Sequence, residues 1–179
     1  TSLTTLNIAA FFCSMETLYF WMDPFAGVWP QIRYVNLSLP AHYLCGIDGY
    51  LRKMTQLECL FLDVTRERKG KWKYRLHLDE LPNLCQLFIT SRNNYPNHFD
   101  IPILPNVTQL DLRCLASKRY GPKLASTWLP NLLGMTSLER LVFSDIAEVD
   151  VAVLGQYLPT QLLSLQFRSG EVSNETALQ

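Results

Sequence analysis

Seven times along the chain an apolar residue is followed by a second three positions on and a third two further. The triplets are Leu3/Leu6/Ile8, Ile32/Val35/Leu37, Leu57/Leu60/Leu62, Leu84/Leu87/Ile89, Val107/Leu110/Leu112, Leu138/Leu141/Phe143 and Leu162/Leu165/Phe167. Their leading residues are 29, 25, 27, 23, 31 and 24 apart, a period of about 26. One such triplet means little, because leucine is common. Seven in register mean that the chain is built of units, none of which can bury its apolar side except against the next. The last two residues of each triplet stand two apart, the spacing that puts side chains on one face of a β-strand.

The flanks repeat as well. "WPQI", "MTQL", "LPNL", "LPNV", "MTSL" and the looser "LPTQL" precede six of the seven triplets. A Pro or Thr there reads as a turn feeding a strand, since Pro cannot continue a preceding helix. Between strands, "SDIAEVDVAVLGQYLP" places Ile146, Val149, Val153, Leu154 and Tyr157 at helical spacing behind the capping pair Asp145 and Glu148, which predicts a helix over 146–157. Similar patches lie at 44–54, 16–22 and 124–128, the last soon interrupted by Pro130. Strand and helix in alternation imply a parallel sheet.

These triplets, turns and return segments resemble leucine-rich repeat proteins, over nearly the whole of residues 1–179. The resemblance implies an α/β fold: a single leucine-rich repeat solenoid of about seven irregular repeats, with a curved parallel sheet on its concave face and helices and loops on its convex face. Many short-repeat members carry an asparagine just beyond the strand, whose side chain ties neighbouring turns. Here those positions hold Phe11, Pro40, Thr65, Arg92, Leu115, Ile146 and Gly170, so the turns must be tied otherwise. Irregular repeats of this length are most similar to the repeat domains of F-box proteins and of intracellular immune receptors. A chain that opens on a repeat-like strand at Thr1 reads as an excerpt of a longer one.

Strand alternation also says what faces outward. The residue between the two strand leucines of each unit forms one row: Asn7, Asn36, Phe61, Phe88, Asp111, Val142 and Gln166. A second row precedes it (Thr5, Tyr34, Cys59, Gln86, Gln109, Arg140, Ser164) and a third follows (Ala9, Ser38, Asp63, Thr90, Arg113, Ser144, Arg168). Phe61 and Phe88 then stand side by side, with Tyr34 on one flank and Gln109 and Asp111 on the other. Neighbouring exposed aromatics mark either an interface or a surface covered by other chain. The expected protein-binding set on the concave face is Tyr34, Phe61, Gln86, Phe88, Gln109, Asp111, Arg113 and Arg140.

Other features point elsewhere or nowhere. Residues 65–77, "TRERKGKWKYRLH", carry six basic side chains against Glu67 and read as an inserted solvated loop, with an acidic or phosphorylated ligand as the functional alternative. The formal net charge is zero, which argues against a dedicated nucleic-acid binder. The most apolar window, residues 8–22, is broken by Glu16 and too short to span a bilayer, so no membrane role is expected.

Cys13, Cys45, Cys59, Cys85 and Cys114 are scattered singly and odd in number, which favours a reducing compartment, cytoplasmic or nuclear, over a disulfide framework. His42 and Cys45 lack further ligands nearby, so neither metal nor cofactor is expected. Three sequons, at Asn36, Asn106 and Asn174, are the only hint of secretion. His42, His77 and His98 sit apart, with no carboxylate or nucleophile at a telling spacing, and no catalytic motif is present, so the expectation is no enzyme.

The expected function is protein recognition on the concave face, as the substrate-binding part of an F-box ubiquitin-ligase receptor. The alternatives are the repeat domain of an intracellular immune or signalling receptor, or a secreted or cell-surface adhesion domain.

Overall fold

The computed structural model describes residues 3–9, 16, 22–25, 27–65, 74–91, 99–114, 128–144 and 151–168. Seven strands form one sheet: β1 (Thr5–Ala9), β2 (Tyr34–Pro40), β3 (Cys59–Thr65), β5 (Gln86–Ser91), β7 (Gln109–Cys114), β8 (Arg140–Ser144) and β9 (Ser164–Arg168). Every pairing is parallel and the strands lie side by side in chain order. Two short strands in the return segments, β4 (Tyr74–Arg75) and β6 (Phe99–Asp100), pair parallel with each other as a separate ribbon. No helix among the described residues is long and apolar enough to cross a membrane.

Each strand begins two residues after the leading residue of a triplet, and the register keeps the triplets aligned. Leu6, Val35, Leu60, Leu87, Leu110, Leu141 and Leu165 are successive partners, as are Ile8, Leu37, Leu62, Ile89, Leu112, Phe143 and Phe167. Between the end strands these side chains are buried, whereas Ile8, Leu165 and Phe167, with a neighbour on one side only, are partly open. Burying one such side chain contributes about 1.5 to 3 kcal/mol, so the aligned rows account for the stacking.

The turn ahead of six of the strands, β2, β3, β5, β7, β8 and β9, closes with the same backbone hydrogen bond whatever its letters. Ile32, Leu57, Leu84, Val107, Leu138 and Leu162 each donate a backbone N–H to the carbonyl three residues back, on Trp29, Met54, Leu81, Leu104, Met135 and Pro159. The Pro residues expected in turns lie in them: Trp29–Gln31 and Leu129–Gly134 are 3-10 turns with Pro in the first turn, where its missing N–H would be unpaired anyway.

Next to the turn, one carbonyl takes two N–H donors from the following strand. Glu58 O accepts from Cys85 and Gln86 (2.9 and 3.0 Å), Cys85 O from Thr108 and Gln109 (2.8 and 3.2 Å), and Thr108 O from Glu139 and Arg140 (both 2.9 Å). Side-chain amides complete the tie: Asn83 Nδ2 donates to Thr55 O, Asn106 Nδ2 to Pro82 O, Asn131 Nδ2 to Ile101 O (each 2.8 Å) and Gln161 Nε2 to Met135 O (2.7 Å). The asparagine missing beyond the strands is thus replaced by one ahead of them, in the "LPN" phrase.

Helix is present in both return segments where the expectation falls largely on described residues. Residues 44–54 give a helix at Leu44–Leu51 followed by a turn. In 146–157 the helix is Val151–Gly155, and residues 145–150 lie outside the described residues. Of 124–128 only Trp128 is described, as the residue that opens the 3-10 turn at Leu129–Gly134, and most of 16–22 is likewise outside. In the basic stretch 65–77, residues 66–73 are outside the described residues; the end of the stretch is not a solvated loop, because Tyr74–Arg75 form β4 and Leu76 is buried.

Candidate functional site

The sheet has an inner face on the apolar core and an outer face, and the expected outer rows are its register rows. Asn7, Asn36, Phe61, Phe88, Asp111, Val142 and Gln166 are successive partners. In the first half of this face Phe61 and Phe88 stack with ring centroids 4.2 Å apart and planes 7° from parallel. Phe61 remains 41% exposed and Tyr34 46% exposed, while Phe88 is half-buried. The parallel register sets the two rings side by side on adjacent strands, within reach of each other's faces. Polar pairs border them: Ser38 Oγ donates to Asp63 Oδ2 at 3.1 Å, and Arg33 meets Glu58 at 3.2 Å.

The second half is polar. Gln166 Oε1 accepts from Arg168 at 2.7 Å and from Arg140 at 3.4 Å, since guanidinium groups only donate, and Gln166 Nε2 donates to Ser164 Oγ at 3.2 Å. Arg140 Nε is buried and makes no hydrogen bond among the described residues. Burial pushes the Asp111 carboxyl above its ordinary range, outweighing the pull of the Arg168, Arg140 and Arg113 guanidinium groups.

Of the expected set, Tyr34, Phe61 and Arg113 are exposed, and Gln86, Phe88, Gln109, Asp111 and Arg140 are half-buried; all eight lie on the outer face. Three of their row-mates depart from expectation. Val142, Cys59 and Ser144 occupy outer positions yet are buried, Val142 completely. These are short side chains flanked in register by longer ones, Cys59 between Tyr34 and Gln86, Val142 between Asp111 and Gln166, and Ser144 between Arg113 and Arg168. Facing outward is a property of the backbone, but exposure also depends on the neighbours' reach. Burial, reinforced by the adjacent Cys85, pushes the Cys59 thiol up to about 11, so at neutral pH it stays protonated and a poor nucleophile.

A second polar cluster escaped the sequence reading. Asp48, 6% exposed on the Leu44–Leu51 helix, accepts from the His77 backbone N–H at 2.8 Å. Its Oδ2 also lies 2.8 Å from His77 Nδ1 and accepts from Arg52 Nε and Nη2 at 3.0 and 2.6 Å. Arg52 reaches on to Glu80 at 3.5 Å. Burial pushes the Asp48 carboxyl up, but the His77 and Arg52 donors outweigh it and hold the group below its ordinary value. His77 therefore does have a carboxylate partner, contrary to the expectation from spacing, because 29 residues of chain return it to the preceding unit's helix. This cluster is a latch between units. Among the described residues no three His, Cys, Asp or Glu side chains come together as metal ligands.

Comparison of the chain with family models, curated proteins and solved structures finds no match. The functional reading therefore rests on the geometry.

Proposed function

We propose that the chain is a leucine-rich repeat solenoid that recognises a protein partner on the outer, concave face of its sheet, as the substrate-binding part of an F-box ubiquitin-ligase receptor in the cytoplasm or nucleus. The observation that carries the recognition reading is the stacked Phe61 and Phe88 pair, with Phe61 and the neighbouring Tyr34 exposed and Phe88 half-buried, in the middle of a seven-stranded sheet. Aromatic surface held rigid by its own stacking loses little entropy on binding and is the material of interface hot spots. The aligned units, the single-direction sheet and the repeated turn support the solenoid reading. The ligase assignment rests on the likeness of the irregular repeats.

Affinity purification of the protein from its own cells, followed by mass spectrometry, tests both parts. Ubiquitin-ligase scaffold subunits are expected with the wild type and with a Phe61→Ala/Phe88→Ala variant, while the substrate partner is expected with the wild type alone. Absence of scaffold subunits contradicts the ligase assignment. A partner retained in full by the double variant contradicts recognition through the aromatic pair.

A further inference from the structure

We infer that the partner is an acidic segment: it seats an apolar side chain on Phe61, Phe88 and Tyr34 and places a carboxylate between Arg140 and Arg168. This rests on the outer face being the recognition surface and adds the chemistry of what is recognised.

Gln166 lies at the centre of the cationic subsite. Its carbonyl oxygen is shared by two guanidinium groups, at 2.7 Å from Arg168 and 3.4 Å from Arg140, and its amide nitrogen is tied back to Ser164. A neutral oxygen thus stands where two cations converge, and a carboxylate there would make charge-assisted, bidentate contacts of roughly twice the strength. Arg140 Nε adds a buried donor with no acceptor among the described residues, which a small shift of the guanidinium toward an anion would satisfy.

The protein's own nearby carboxylate does not fill the role. Asp111 is pulled by Arg168, Arg140 and Arg113, yet it makes no described ion pair with any of them. Arg140 and Arg168 converge on a neutral oxygen rather than on Asp111, and cationic groups placed so at one end of an interface steer and orient an acidic partner.

The two subsites also set a spacing. From the Phe61/Phe88 pair to β8 and β9 is two and a half to three and a half strand steps, about 12 to 17 Å at about 4.8 Å per step, which an extended peptide at about 3.3 Å per residue covers in four or five residues. The partner sequence is then an aromatic or large aliphatic residue with Asp or Glu four or five positions away.

Panning random linear peptides displayed on phage against the purified chain, then measuring selected peptides by fluorescence polarisation, tests this. Enriched peptides are expected to carry that spacing. Arg140→Ala/Arg168→Ala should weaken their binding about tenfold, the loss of one charged hydrogen-bonded contact. Gln166→Glu, a change of nearly equal size that supplies the carboxylate internally, should weaken it similarly and leave the fold in place.

Peptides without an acidic preference, or peptides whose binding is lost in Phe61→Ala/Phe88→Ala but unchanged in both arginine-subsite variants, overturn the acidic-segment inference alone. Binding unchanged in all three variants overturns the recognition face as well.

Discussion

Asp48 and Asp111 are both carboxylates at least half shut away from water and both feel arginine, Asp48 one and Asp111 three, yet the first is held below its ordinary pKa and the second pushed above it. The difference is in the donors. Asp48 accepts from the His77 backbone and from Arg52 at hydrogen-bond distance, with His77 Nδ1 2.8 Å away, so its charge is matched within the fold. Asp111 feels its arginines only through space, and two of them converge on Gln166 instead. One region closes its electrostatics on itself and joins two units. The other has two arginines converging on a neutral amide oxygen, on the same face of the sheet as the two stacked aromatic rings. Matched charge ties two units together at Asp48, and the two arginines converging on Gln166 are what the proposed recognition of an acidic segment draws on.

The comparison can be broken in several places. The largest effect belongs to the core that both regions share: Leu87→Ala and Leu110→Ala, each fully buried, should each cost about 2 to 5 kcal/mol in urea unfolding. Leu165→Ala on the end strand, where the leucine is only half-buried, should cost less. If all three cost the same, the units do not stack as nearest neighbours.

Asp48→Asn should cost about 1 to 3 kcal/mol, because it leaves the Arg52 and His77 donors poorly matched. The sign of its pH dependence follows from the lowered pKa. The stabilisation is fully present above the ordinary aspartate value of 3.8 and is lost as the pH falls through the lower folded value, so wild type and variant should converge in acid. Convergence at high pH instead would contradict the latch.

Asn106→Ala removes the amide tie to Pro82 O and should cost about 0.5 to 1.5 kcal/mol, with the same order of loss for Asn83→Ala. Chemical denaturation of the two variants reads this directly, and no loss in either would mean that the backbone ladder alone sets the turn.

Asp111→Asn should cost nothing and could only gain, by under about 1 kcal/mol. For a carboxyl whose folded pKa is raised, the contribution to stability is full below 3.8 and lost as the pH rises through the folded value, so its charge at neutral pH works against folding. The same variant removes a negative charge near Arg168 and Arg140 and should strengthen binding of acidic peptides. A destabilised Asp111→Asn would show that the outer face is internally matched after all.

What could be read in advance follows the same divide between repetition and singular contacts. The strand positions, their order and all three outer rows were legible because the triplets recur at fixed spacing, and a one-residue slip would have turned the leucines outward. Phe61 beside Phe88 followed from register alone. Whether an outer residue is exposed did not, since Val142 and Cys59 are buried beside longer side chains, and side-chain length enters through neighbours 23 to 31 residues away in sequence.

The Asn of "LPN" was visible as a repeated letter, but its partner is a carbonyl in the preceding unit, which no local pattern names. Asp48 and His77 had no signal in the sequence. They stand in different units, at a separation of 29, and meet through a helix and a return segment whose lengths obey no motif.

The central claim is that the outer face, and within it the aromatic pair and the arginine subsite, is where a partner binds. Backbone amide chemical-shift mapping on titration with a peptide selected by phage display tests it most directly. Shifts should concentrate on Tyr34, Phe61, Phe88, Arg140, Gln166 and Arg168, and leave Asp48, Arg52 and His77 unmoved. Shifts centred on the Asp48 latch, with the outer rows unmoved, would contradict it.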